Sequence, residues 1–578
     1  MFGPFRRVVA ALLVAGAGCT AKPEEADLII QNARIYTLGW GDPDPEGRLA
    51  ANAPHDSAGW HSAAQALAVK DGRIIFVGSS GEAGFYRGPR TKVVDLRGAT
   101  LLPGLVDSHT HIGELAGNLT RVSLVGVRTE AEAVAKVAER ASHVPAGQWI
   151  VGFGWDEGAW AAHYPTNRLL SERIPGHPVY LRSLHGFAAW GNRLAFDRAR
   201  ITRNTVAPVG GAIVKDAAGV PTGILLNRAV PLLDQAVPVP TPAALADQLA
   251  VALDTMAGRG YTAIHEAGAG SAEIAALQAL EKADRLPIRV YAMLSVRDTV
   301  LARAWLARGP QRDSTRMLRV QAVKAFWDGA LGSRGARLLE DYTDSAGYRG
   351  VSGAGYGFDR RLVAALMRKG FQVAIHAIGD AGNREALDFI ESVERGNDSV
   401  ARGRHRIEHA QVVSPDDFSR FGRLGVIVSV QPPHAVEDKA WAEKRLGPKR
   451  IHGAYAWRTI RRYGGYLILN SDLPGSSADF FYGYHAAVTR QDAVGQPAGG
   501  WYPEQRLTPD EALRGYTLWP AVASFSDVYA GVIAPGRWAD LTAVDLDLLN
   551  VAEQHPDSLL AGRIMLTVVN GKVVFERP

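Results

Sequence analysis

The chain has 578 residues but a single cysteine, Cys19, and only six methionines. One cysteine excludes an internal disulfide and any metal site built from thiolates. Tracts of lysine and arginine interleaved with aromatics are missing, and the 21% of charged residues mix both signs to a net +5. Nothing in that balance makes a basic face for nucleic acid, so no nucleic-acid partner is expected. Apolar runs long enough to span a bilayer are missing as well. No period of solenoid length repeats. What is present is a chain that is 47% hydrophobic, ample for a large buried core.

The N-terminus looks like a targeting signal. Arg6-Arg7 precede a stretch of apolar and small residues, Val8 to Gly18, too short for a membrane helix but right for export. Residues 1–18 are therefore read as a lipoprotein-type signal peptide, with Cys19 as the first mature residue. A lipid on Cys19 would be the sole membrane attachment. Gly16 departs from that pattern, since a larger aliphatic residue is usual three before the cysteine, and an ordinary cleaved signal is the alternative. The expected location is outside the cytoplasm, in a bacterial periplasm or lipid-anchored at a membrane.

Both ends of the remaining chain are β-rich. Two alternating runs flank Asp71-Gly72, and two more flank Asn570-Gly571, each a strong hairpin signal. Residues 25–103 and 525–578 are read as the two parts of one small β-sandwich. Between them, residues 104–524 alternate strand and helix signals, which implies parallel strands with crossover helices. The fold class is thus α/β: a (β/α)8 TIM-like barrel plus a β-sandwich formed from both termini. Candidate strands end at His111, His185, His265, Leu294, Phe326, His376, His409, Gln431 and Asp472, nine candidates for eight places. The weakest, 178–185, lies in a Trp- and Pro-rich stretch, 152–192, read as an insertion over the site.

Asp107-Ser108-His109-Thr110-His111 follows the apolar run Thr100 to Val106. Two histidines two apart on a strand point the same way and can hold one divalent ion, usually zinc. In a (β/α)8 barrel, C-terminal strand ends converge on one mouth. His376, His409 and Asp472 all stand at such ends, each followed by loop-like sequence. Lys324 stands near the end of another strand, just before Asp328-Gly329, and burial would lower its pKa. Taken alone, a strand histidine is more often a core residue, which is the reading given to His265, His405 and His434. A lone Lys324 could be an ion-pair partner, and a lone Asp472 a helix cap.

These motifs together resemble the amidohydrolase superfamily, and within it the amidohydrolase-3 group of YtcJ-like hydrolases and N-substituted formamide deformylases. The matching segments are Leu102 to His111, Lys324 to Gly332, Ile375 to Asp380, Arg406 to Gln411, Ser471-Asp472 and Gly531 to Leu541. Ser183 to Asn192 is similar as well, and makes His185 a candidate near the substrate. Asn227 is a departure, because relatives often carry an acidic residue near that position.

The resemblance implies one or two divalent ions per subunit, zinc by preference. His109, His111 and Asp472 would hold one, His376 and His409 the other. Carbon dioxide adding to the neutral amine of Lys324 would give a carbamate that bridges them. A hydroxide between the ions would attack the substrate carbonyl, with Asp472 as acid–base and His185 as oxyanion donor. Asp328 would orient Lys324 or His111 from behind. Trp155, Trp160 and Trp327 would line an apolar pocket, with a core role as the alternative. The implied reaction is hydrolysis of a non-peptide carbon–nitrogen bond in a small amide, formamide or cyclic amide. Hydrolysis of an ester or lactone, and an inactive exported metal-binding protein, stay open as alternatives. Oligomeric state is unreadable in the sequence.

Overall fold

A computed structural model describes residues 24–155, 164–183, 188–208, 211–227, 229–332 and 334–578. The signal segment with Cys19, and the candidates Trp160 and His185, lie outside the described residues.

The described residues divide into two compact units, 24–112 with 253–578, and 113–252. The first unit contains eight parallel strands in sequential order, labelled here β1 (Leu105–Thr110), β2 (Tyr261–Ala269), β3 (Arg289–Ser295), β4 (Leu318–Phe326), β5 (Gln372–Ala377), β6 (Arg406–His409), β7 (Ile427–Val430) and β8 (Tyr466–Leu469). Their ends lie within three residues of seven of the nine candidates, whereas β2 runs four residues past His265 to Ala269. Helices between the later strands, such as Arg360–Arg368, Asp380–Glu394 and Phe418–Leu424, supply the crossovers that parallel pairing requires.

The cylinder closes between β8 and β1 at the mouth. Ser108 Oγ donates to Leu469 O at 2.8 Å. Beyond the strand end, Asp472 N donates to His109 O at 3.1 Å and His111 N to Leu473 O at 2.8 Å. This seam sets Asp472 beside the histidine pair.

The chain termini build two further sheets in the same unit. One joins Leu28–Gln31, Ala66–Lys70, Arg73–Gly78 and Lys92–Asp95. The other joins Arg34–Ile35 and Thr100–Pro103 with the C-terminal strands Leu541–Val544, Ile564–Val569 and Lys572–Glu576. Ile30, Val69 and Leu101 pack with Leu541, Leu566 and Val568 in one shared core, which makes the pair of sheets a sandwich. Both hairpin turns form as the Asp-Gly and Asn-Gly signals predict. Asp71 and Gly72 have φ of +47° and +73°, and Asn570 and Gly571 +51° and +74°, the left-handed pair of a type I′ turn. The second sheet feeds straight into β1 through Gly104, where a Cβ would stand 2.1 Å from Thr262 Oγ1.

The second unit has its own six-stranded sheet. The strand Val179–Ser183 belongs there, between Ile150–Trp155 and Ala188–Gly191. The ninth candidate is therefore a real strand of another sheet. Trp155 is fully buried in this unit, donates to Leu181 O at 3.0 Å and packs with Trp190. It fills a core rather than lining a pocket. Among the described residues no helix is long and apolar enough to cross a membrane.

Candidate metal centre

The C-terminal ends of β1, β4, β5 and β6 and the loop after β8 bring the candidate donors together. The ring centroids of His109 and His111 are 5.3 Å apart, those of His109 and His409 5.3 Å, and those of His376 and His409 4.5 Å. Asp472 Oδ1 lies 3.4 Å from His109 Nε2 and 3.2 Å from His111 Nε2. Lys324 Nζ is 2.9 Å from His109 Nε2. One donor atom each from His109, His409 and Asp472 falls within a span of 4.8 Å. The structure thus gathers all six side chains, drawn from positions 109 to 472.

Two of them reach the cluster through strained backbone. His409 has φ of +73° and Asp472 of +55°, left-handed values that cost a non-glycine residue about 1 kcal/mol or more. Strict strand alternation would send Glu408 and His409 to opposite faces. The turn at His409 and Ala410 ends β6 and lets both serve one site.

Burial sets the protonation. It pushes His109 down to about 4 and His376 to about 3, in each case helped by the nearby charge of Lys324. His409 falls well below its usual value for the same first reason, with His376 adding to it. The three rings are therefore neutral at pH 7, the form that offers a lone pair to a metal. Burial also draws Lys324 down to about 8. For Asp472 burial opposes ionisation, but the surrounding imidazoles, His109 first, outweigh it and hold the carboxyl low.

The fit to a cation can be read from unsatisfied atoms. His376 Nε2 and Asp472 Oδ1 are both buried and neither makes a hydrogen bond of proper geometry. Buried polar atoms are normally paired, and each orphan costs about 1–3 kcal/mol. The donor set fits a divalent ion, which would satisfy a neutral imidazole nitrogen and a carboxylate oxygen together.

The supporting contacts add residues to which the sequence assigned no role. Glu408 Oε2 lies 2.6 Å from His109 Nδ1. Arg406 Nε donates to Glu408 Oε1 at 2.7 Å, and its Nη2 to Glu408 Oε2 at 2.9 Å and Ser108 O at 2.7 Å. A carboxylate behind an imidazole fixes the tautomer, so Nε2 of His109 turns its lone pair to the cluster, toward Lys324 Nζ. Gln431 Oε1 does the same for His409, 2.9 Å from its Nδ1, while Gln431 Nε2 donates to Asn470 Oδ1 at 2.8 Å and so fixes the amide. Asp107 ties the seam, accepting from Ser471 Oγ at 2.6 Å and Ser471 N at 3.1 Å. Arg406 and Glu408 are two apart on one strand, so their shared facing was available from the spacing. Their partner His109, 299 positions from Glu408, was not.

Two expectations change. Asp328 does not touch Lys324 or His111. It accepts from the backbone N–H groups of Arg337, Ile378 and Gly379 at 2.8–2.9 Å, and its Oδ1 is 3.8 Å from His376 Nε2. It shapes the loop after β5, where a Cβ on Gly382 would come within 2.4 Å of Asp328 Oδ2. Trp327 is buried against Phe358 at 4.4 Å, with its Nε1 donating to Glu385, and is a core residue. As read from the sequence, His405 stands apart, with Nδ1 accepting from Val373 N at 3.1 Å.

A barrel whose strand ends gather neutral imidazoles, a lysine and a carboxylate is the architecture of a metal-dependent hydrolase. The amidohydrolase family profile Amidohydro_3 matches residues 92–575, and the chain belongs to that family. It is 30% identical over 565 residues to LONG AFTER FAR-RED 3 of Arabidopsis thaliana, covering 95% of this chain and 92% of that one. It is 31% identical to YtcJ of Bacillus subtilis, covering 89% and 96%. The N-substituted formamide deformylase of Arthrobacter pascens is 28% identical, covering 89% and 96%. Among solved structures, a metal-dependent hydrolase from Pyrococcus horikoshii is similar at a TM-score of 0.71 and 26% identity, covering 91% of this chain and 99% of that one.

Proposed function

We propose that the protein hydrolyses a non-peptide carbon–nitrogen bond in a small amide, formamide or cyclic amide. The observation that carries this reading is the buried cluster of bare donor atoms at the barrel mouth, with His376 Nε2 and Asp472 Oδ1 unsatisfied. His109, His111, His376, His409 and Asp472 would hold one or two zinc ions, with Lys324, as a carbamate, between them. A divalent ion there supplies Lewis acidity, which polarises a carbonyl oxygen and acidifies water. Asp472 presents its carboxylate to Nε2 of both His109 and His111, and would take the proton from the attacking water and return it to the leaving nitrogen. Glu408 and Gln431 hold the two imidazoles in register so that no rotation is needed during turnover. The 28% identity to a formamide deformylase supports a carbon–nitrogen bond as the target.

Purified protein assayed for bound metal, then for release of ammonia, amine or formate across a panel of amides with matched esters and lactones, tests the reading. Turnover confined to the esters and lactones would move the assignment to the alternative hydrolase. Full metal loading with no turnover on either panel would leave a binding protein. The export reading is tested separately by the mass of the mature N-terminus, which a lipid on Cys19 would raise.

A further inference from the structure

The opposite, N-terminal pole of the barrel holds a second cavity. The starts of β1 to β4 form one wall, through Val106, Thr262, Val290 and Arg319, and Ser526 and Trp538 close it from the C-terminal segment. Its room is about 50 Å³, enough for a molecule of a few heavy atoms.

Three arginines line this cavity, and two are already neutralised. Arg289 donates to Asp540 at 2.6 and 3.3 Å. Arg316 pairs with Glu281. Arg319 differs. Only 6% of it is exposed, and among the described residues no carboxylate contacts it. Its Nη1 donates to Ser526 Oγ at 2.8 Å, and its Nη2 to Gln321 Oε1 at 3.1 Å and to Ser524 O. Its Nε makes no hydrogen bond. A guanidinium does not deprotonate in a protein, so its charge stays and lacks a counter-ion. The Arg319 Cζ also lies 5.6 Å from the centroid of the Tyr291 ring. Burying a cation against neutral oxygens and a ring is still costly, and a guanidinium N–H suits an oxyanion. The rest of the wall is largely apolar, with Val106, Val290 and Ala521 beside the arginine.

We propose that this pocket binds a small organic anion, a monocarboxylate of about the size of acetate. The carboxylate meets Arg319 and Ser526, and the body lies on Val106, Val290 and Ala521. One uncompensated positive charge matches one negative charge. A phosphate dianion would be left with excess charge against apolar walls.

Titration calorimetry and thermal melts of the metal-loaded protein with acetate, and in parallel with inorganic phosphate, test this. Acetate is expected to bind saturably and raise the melting temperature of the wild type, with phosphate weaker. Arg319→Met, which keeps the volume and removes the charge, is expected to weaken acetate binding about tenfold or more. Should Arg319→Met not fold, Arg319→Lys carries the same test, because a lysine loses the fork and is expected to bind more weakly. The proposal is overturned by no saturable acetate binding to wild type, by unchanged affinity in the folded variant, or by phosphate binding as tightly as acetate.

Discussion

The two poles of the barrel are both buried polar layers, and they lack opposite things. At the C-terminal mouth, nitrogens and a carboxylate oxygen face each other without enough protons between them. At the N-terminal pole, a guanidinium faces neutral oxygens with an N–H to spare. One cylinder therefore presents a cation-seeking end and an anion-seeking end, about the length of a strand apart. Fold alone does not choose between them, since strand order and register are continuous from one pole to the other. The sign of each end is set by which side chains stand there and by what lies behind them. Carboxylate and amide oxygens behind the imidazoles leave bare nitrogens in front. Asp540 and Glu281 cancel Arg289 and Arg316 and leave Arg319 alone.

The largest effect expected from breaking this contrast is at the mouth. Stripping metal with a chelator is expected to abolish turnover, and adding zinc back to restore it, with the fold retained by circular dichroism. Undiminished turnover in protein shown to be metal-free would sink the metal-centre reading. Next comes Asp472→Asn. Removing the one acid–base carboxylate is expected to lower kcat about 10²–10⁴-fold. The amide oxygen can still meet an ion, so zinc content measured alongside is expected to stay near wild type.

Lys324→Ala separates a bridging role from a mere neighbour. If Lys324 joins two ions, the variant loses at least one equivalent of metal and most of its activity. Unchanged stoichiometry would contradict the bridge. Glu408→Gln is a milder change, since it keeps the shape and removes only the charge behind His109. Metal affinity is expected to fall about 10–100-fold, the usual cost of losing a carboxylate that orients a ligand, and kcat at saturating zinc to fall less.

Much of the mouth was legible in the sequence because its donors sit at strand ends, where a local apolar run and a following loop mark them. His109, His111, His376, His409 and Asp472 each carry that local signature. What lay outside reach depends on pairing across the barrel. Glu408 meets His109 across 299 positions, and Gln431 meets His409 only because β6 and β7 are neighbours. The strand Val179–Ser183 read correctly as a strand, but local pattern does not say which sheet it joins. Trp327 and Trp155 were ambiguous for a related reason: an aromatic near a site motif looks the same whether it faces a pocket or a core. The cavity at the other pole had no signature at all. Arginines spread over the starts of strands resemble ordinary surface charge until the cylinder closes over them.

One residue belongs to both ends, and it gives the smallest and most discriminating effect. His265 lines the N-terminal cavity, and its Nδ1 lies 3.0 Å from Arg406 Nη1. Arg406 in turn grips Glu408, which orients His109. If the poles were tightly coupled, removing this acceptor would propagate to the metal. The hydrogen bonding says otherwise. With His265→Leu, Arg406 keeps two bonds to Glu408, one to Ser108 O and one to Ser429 Oγ at 3.2 Å. Glu408 therefore has no reason to move. One buried donor left unpaired costs about 1–3 kcal/mol of stability, visible in a urea melt. Metal affinity is expected to change less than about threefold, well short of the Glu408→Gln loss. A drop in metal affinity as large as that of Glu408→Gln would show that the arginine relays strain from one pole to the other, and that the two ends cannot be treated as separate sites.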